Sequence, residues 1–181
     1  MLGSLHEIVK DCATEFSCSN GDVAPRLAAL SLSAKEGRAR EKALREEVAG
    51  AVAQRVWTES VITQREGGTI RRGLLVRAEE ATNDLEFLSL VSANLSLSIA
   101  DAPSAQHLFI LATSGGVSSN AGGAIIILGT DSLVAQAGQR ASEQFGKRVR
   151  GGGKHRWQGK LAEGHWSKED EIILSSILSL E

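Results

Sequence analysis

Two short runs limit what this chain can fold into: His107-Leu-Phe-Ile-Leu-Ala112 and Ala124-Ile-Ile-Ile-Leu128, each apolar through its length of strand and separated by a Ser/Gly/Asn loop. Runs this short and this rich in β-branched residues read as strands, and the glycine-bearing loop between them predicts a hairpin buried on at least one face. A buried hairpin needs a layer packed on it, and helix-period segments lie on both sides in sequence. Helices interleaved with strands predict an α/β (α+β) fold.

The flanking segments fill in that layer. After Gly67-Gly68 the period changes from helical to extended, and Gly73-Leu-Leu-Val-Arg77 reads as a short buried strand. Thr82-Asn83-Asp84 is expected to cap a helix whose apolar positions Leu85, Leu88, Val91 and Leu95 share one side. Asp131 is expected to cap the next, with Leu133, Val134, Ala137, Ala141 and Phe145 buried, and a last helix is predicted from Ser167 to Leu180. The expected architecture is a mixed sheet of about four to five strands packed by helices and preceded by an amino-terminal helical hairpin.

That hairpin rests on two segments. Leu5, Ile8, Val9, Cys12 and Phe16 fall on one face of a short helix, and a long helix is predicted from about 22 to 57, because Ser19-Asn20-Gly21-Asp22 supplies capping side chains and Pro25 sits in the first turn. Along it Val23, Leu27, Leu30, Ala34, Leu44, Val48 and Val52 trace an apolar stripe, interrupted at Gly37 and Glu41 and so short of a strict coiled-coil seam. The first helix is expected to cover that stripe. Residues 1–58 are read as this hairpin and 59–181 as the core domain.

Composition says little about a partner. The 181 residues are 42% hydrophobic and 23% charged with a formal net charge of -2, values ordinary for a globular protein. Cys12 and Cys18 do not make a disulfide framework, the start MLGSLHEIVKDC lacks the basic region and apolar run of a secretory signal, and no segment is long and apolar enough to span a membrane. A soluble, cytoplasmic protein with no membrane partner is expected.

One segment breaks this neutrality. Between Lys147 and Lys160 there are six Lys or Arg residues, one histidine and no carboxylate. Gly151, Gly152 and Gly153 are free to take φ > 0 and to bare their N–H groups, the requirement for an anion-holding nest, with Lys154 at its rim. Polynucleotides reward several such contacts at once through counterion release. Lys147, Arg148, Arg150, Lys154, Arg156 and Lys160 are the expected grip, with His155 and Gln158 as further contacts. Trp157 has two readings, a side chain packed in the sheet or a face for stacking on an unpaired base.

The order strand, helix, two apolar strands, helix, followed by Arg150-Gly-Gly-Gly-Lys154 and Gln158-Gly159-Lys160, resembles the DHH-associated carboxy-terminal domain, the C-Ala region of alanyl-tRNA synthetases and of AlaX-type editing proteins. It is most similar to the eukaryotic-type editing protein, in which a basic glycine loop runs into an aromatic-Gln-Gly-Lys segment like Trp157-Gln158-Gly159-Lys160. The likeness covers roughly residues 73 to 178, and the segment from 4 to 57 is similar to that family's connector. The resemblance implies tRNA binding, with tRNA(Ala) the expected partner, while a separate zinc domain hydrolyses mischarged Ser-tRNA(Ala). The zinc ligands of that domain form a His-x-x-x-His pair and a Cys-x-x-x-His pair. Here His6, His107, His155 and His165 are isolated, and neither cysteine has a histidine four residues on. The chain is therefore expected to be the non-catalytic part of an aminoacyl-tRNA deacylase and to hold no cofactor itself.

Other segments have plainer readings. Ser114-Gly-Gly-Val-Ser-Ser119 has the composition of a turn, and Glu169-Asp-Glu171 suits the dipole of a helix start. A second functional class stays open, in which the chain is an association tail that dimerises through its helical hairpin and the glycine loop only closes the fold.

Overall fold

The computed structural model describes residues 2–65, 68–77, 85–114, 123–162 and 166–179. Helix α1 (Leu2–Glu15) leads through a 3-10 turn at Asn20–Asp22 into α2 (Val23–Glu59), and strands β1 (Val61–Arg65) and β2 (Gly68–Arg77) follow. Next come α3 (Leu85–Ala100), β3 (Gln106–Thr113), β4 (Ala124–Gly129) and α4 (Asp131–Phe145). Strands β5 (Val149–Gly152) and β6 (Arg156–Leu161) precede the final helix α5 (Lys168–Leu178). The chain divides into two compact units, residues 1–45 and 46–181, so the boundary lies inside α2 and not at its end.

In the second unit the strands form one six-stranded mixed sheet in the order β1-β2-β3-β4-β6-β5. Among the described strands only β2 and β3 run parallel, joined across α3; every other neighbouring pair is antiparallel. The expected α+β class and mixed sheet are as found, with six strands in place of four to five. The predicted hairpin of apolar runs is the β3–β4 pair, Leu108 opposite Gly129 through Thr113 opposite Ala124.

This hairpin is buried on both faces, which is why its sequence runs apolar without alternating. Leu108, Ile110, Ala112, Ile125 and Ile127 enter one cluster with Val134, Ala137 and Ala141 of α4 and Leu174 and Ile177 of α5. Phe109, Leu111, Ala124, Ile126 and Leu128 enter a second with Phe87, Leu88, Val91 and Leu95 of α3 and with Ala49, Ala53 and Val56 from the end of α2. The sheet is thus the middle of three layers.

Local signals differ in detail. Thr130, not Asp131, is the N-cap residue of α4; its hydroxyl caps no helix amide but accepts from His107 N at 3.0 Å and so ties the helix start to β3. Helix α5 starts with a capping box: Ser167 accepts from Asp170 N at 3.1 Å and donates its own N–H to Asp170 Oδ2 at 2.9 Å. The Thr82-Asn83-Asp84 cap, most of the Ser114–Ser119 turn, His165 and the side chain of His6 lie outside the described residues.

In the first unit the apolar faces are not covered as expected. Ile8 of α1 is 56% exposed, and Leu27, Leu30 and Leu44 of α2 are 46%, 51% and 61% exposed. At the turn between the helices Ala13 and Val23 are buried, Arg26 donates to Phe16 O at 2.6 Å and Ser19 Oγ donates to Asp22 Oδ2 at 2.6 Å.

Candidate nucleic-acid interface

The basic glycine segment folds as the β5–β6 hairpin on the sheet edge. Its register sets Val149 opposite Leu161, Arg150 opposite Lys160, Gly151 opposite Gly159 and Gly152 opposite Gln158. Side chains on β6 alternate, with Trp157, Gly159 and Leu161 buried toward α4 and Gln158 and Lys160 exposed on the other face. Directly opposed residues of an antiparallel pair point to the same side. Arg150 and Lys160 therefore stand together.

The glycines serve packing more than anion binding. A Cβ on Gly151 would lie 2.6 Å from Trp157 Cζ2, on Gly159 2.5 Å from Cη2, and on Gly138 of α4 2.5 Å from Cδ1. Glycines from three elements thus open a slot for one indole, and Trp157 is 5% exposed within it. Its stacking reading is corrected accordingly: no face is left for a base. Gly151 and Gly152 are extended and paired with β6, and within the triplet only Gly153 takes a positive φ, +136°, so the expected nest of successive bare amides does not form. At Gly153 a side chain would collide with Arg156 O, which fixes glycine at the hairpin turn.

Three of the expected gripping groups are held by the protein itself. Arg148, in a 3-10 turn after α4, donates Nη1 and Nη2 to Asp170 Oδ1 and Oδ2 at 2.9 and 3.0 Å. The hydrogen bond to Asp170 raises the Arg148 pKa against a smaller opposing effect of burial. Burial by itself pushes the Asp170 carboxyl up; the hydrogen bonds from Arg148 and Ser167 and the Arg148 charge outweigh it and hold the pKa below the usual value. His155 Nδ1 sits 2.7 Å from Asp131 Oδ2, with both side chains largely exposed. Arg156 lies against α3, donates Nη2 to Ser89 Oγ at 3.0 Å, and has a pKa lowered by burial. Arg148, His155 and Arg156 thus each have a partner within the fold, while Arg148 and His155 stay exposed. The acids that hold the first two come from α5 and α4, which a reading confined to 147–160 does not see.

Lys147, Arg150, Lys154, Gln158 and Lys160 remain exposed. Of these, Arg150, Gln158 and Lys160 line an open cleft of about 290 Å³ together with Leu85, Ala124 and Gly159. Among the described residues its lining carries two cations and an amide and no carboxylate, and within it Ala124 of β4 pairs with Lys160 of β6. Leu85, the first residue of α3, closes one side. Like charges directly opposed across strands are destabilising in water, so Arg150 facing Lys160 costs the fold something that an anion between them would offset. Leu85 and Ala124 were not among the expected residues; nothing local in the sequence places them beside Lys160.

Among the described residues no three His, Cys, Asp or Glu side chains gather as a metal site. His107 is buried and stacked on Trp57 with ring centroids 5.6 Å apart, Ser114 is buried with its Oγ accepting from Trp166 N at 3.2 Å, and Cys12 and Cys18 are unpaired thiols. No described helix is long and apolar enough to cross a membrane. No protein-family model matches the chain, and no curated protein matches it significantly.

Proposed function

We propose that this chain is a tRNA-binding module that holds the polynucleotide by its phosphates at the β5–β6 edge, with tRNA(Ala) as its partner and an alanyl-tRNA editing protein as its setting. The observation that carries the reading is the opposed Arg150–Lys160 pair at an open cleft that has no carboxylate among its described lining residues. Arg150 offers a planar fork suited to phosphate oxygens and Lys160 a mobile point charge, while Gln158 between them can donate or accept at a sugar or base edge. Lys147 and Lys154 extend the positive field beyond the cleft. The choice of tRNA rests on the resemblance carried by Arg150 to Lys154 and Trp157 to Lys160. Hydrolysis, with its zinc, belongs in this reading to a separate editing domain.

Phosphate-directed groups of this kind position a nucleic acid and carry little sequence information. An Arg150→Ala, Lys160→Ala variant should therefore weaken tRNA(Ala), unrelated tRNA and DNA by similar factors. Its salt slope should flatten by about 0.9 for each duplex phosphate no longer neutralised and about 0.7 for each single-strand phosphate. Filter binding at several salt concentrations measures both. Parental affinity and slope in the double variant would overturn the reading.

A further inference from the structure

Arg156 is held by a neutral group and not by an acid. On β6 the alternation that buries Trp157, Gly159 and Leu161 sends Arg156, Gln158 and Lys160 to the opposite face. Their partners on β4, Leu128, Ile126 and Ala124, are the residues that pack with α3. Helix α3 thus covers β4 on this face, while Gln158 and Lys160 of β6 and Arg150 of β5 stay exposed beside it. What results is a ledge along β6 with α3 as its wall.

Arg156 lies half-buried against that wall. Its Nη2 donates to Ser89 Oγ at 3.0 Å, its Nε is buried without a hydrogen-bond partner, and no acid among the described residues pairs with it. Ser89 returns no charge, because its own proton is donated to Leu85 O at 2.7 Å. A cation taken from water without a countercharge is costly, so an anion reaching Arg156 would offset a cost the fold already bears. Leu85, at the far end of this relay, closes the cleft of Arg150 and Lys160. It lies one helical turn, about 6 Å, from Ser89. The buried guanidinium and the exposed pair therefore belong to one continuous surface.

We infer that this ledge takes a single unpaired strand of RNA running along β6, with phosphates of that strand at the Arg150–Lys160 pair and at Arg156, and with Gln158 between them. The inference rests on the reading above that the β5–β6 edge holds RNA, and adds which form of RNA it holds. Access is what separates the forms. A duplex displays its phosphates on a convex, stiff surface, which can touch the exposed Arg150 and Lys160 but not a side chain half-buried between a helix and a sheet. A single strand bends to follow a cationic groove. Lys160 and Arg156 are four residues, about 13 Å, apart along the strand, so a short stretch of backbone spans both. Trp157 is buried and gives no stacking platform, so contact is through the backbone and tolerant of sequence.

The test compares one labelled RNA of about twelve nucleotides, free of internal pairing, alone and annealed to its complement, by fluorescence anisotropy with the full chain. The single strand should bind at least about 10-fold more tightly than the duplex, against the order that charge density alone would give. Arg156→Gln removes the charge and keeps an amide donor for Ser89. It should weaken the single strand at least about 5-fold, flatten its salt slope by about 0.7, and leave the duplex as the parent binds it. A duplex bound as tightly as its strand overturns the inference, and this comparison needs no variant to fold. An Arg156→Gln variant that binds the strand as the parent does, or that weakens both forms alike, overturns it as well. The Arg150→Ala, Lys160→Ala variant tells this failure from that of the reading beneath it. If that variant weakens both forms while strand and duplex bind equally to the parent, only the choice of form is wrong; if it binds both as the parent does, or the parent binds neither, the cleft does not hold RNA.

Discussion

Single residues decide whether the basic loop is a cradle or a hairpin, and Trp157 decides most. Its ring fills a slot that Gly138, Gly151 and Gly159 leave open. Gly159→Val should cost roughly 1–3 kcal/mol by overpacking that slot. Gly152, beside open space, should accept alanine within about 0.5 kcal/mol. Urea midpoints compare the two, and equal costs would show that the slot does not constrain the triplet. Asp170 is the second deciding residue. Its pKa is depressed in the fold, so the stabilisation from its carboxylate is present above its unfolded value and disappears as pH falls through the folded one. Asp170→Asn should therefore cost about 2 kcal/mol at neutral pH, shrinking toward zero in acid. A cost that stays constant from neutral pH to strong acid would show that the charge is not what matters. The sequence displays both partners of this pair, but Arg148 and Asp170 are 22 residues apart and only the fold brings them together.

At the scale of elements, legibility followed burial. Strands β3 and β4 are covered on both faces and read as unbroken apolar runs; α3 and α4 are covered on one and read as stripes. Strands β1 and β5 are edges with little to bury, and β5 is half glycine, so neither has a hydrophobic period to detect. The alternation of Trp157, Gly159 and Leu161 with Gln158 and Lys160 was a visible strand signal once glycine is counted as an inward position beneath an indole. The end of α2 was legible as helix but not as core, since its buried residues Ala49, Ala53 and Val56 are small. That end is fastened by Arg71, whose Nη1 donates to Trp57 O at 2.9 Å and to Ser60 Oγ at 2.8 Å while its guanidinium stacks 4.3 Å above the Trp57 ring. Beneath them lies His107, its pKa lowered by burial and then by Arg71, with Nε2 buried and without a hydrogen-bond partner. The folded state keeps this imidazole neutral while the unfolded chain protonates it near its ordinary value, so stability should fall as pH drops below about 6.5 and level off below the folded pKa. His107→Gln should flatten that segment of the stability curve, measured by urea unfolding between about pH 7.5 and 5.5. An unchanged slope would assign the acid sensitivity to another group.

For the whole molecule the question is where independence begins. Both buried clusters lie in residues 46–181, and one of them includes Ala49, Ala53 and Val56 from the last turns of α2. A chain cut after Thr58 would strip those three side chains from Phe87, Leu88 and Phe109, leaving apolar surface wet and Arg71 without the Trp57 carbonyl it caps. A chain cut between the two units keeps them and removes only α1 and the exposed length of α2. Removing residues 1–45 should therefore leave a cooperative unfolding transition close to that of the full chain. Removing residues 1–58 should lower the midpoint sharply or prevent folding, because burying Val56 alone is worth roughly 1.5–3 kcal/mol, a large share of the stability of a domain this size. Calorimetry on the two truncations decides the matter. Two equally stable fragments would mean that the end of α2 is an attachment and not part of the core, whereas an unfolded 46–181 fragment would mean that the long helix cannot be divided at all.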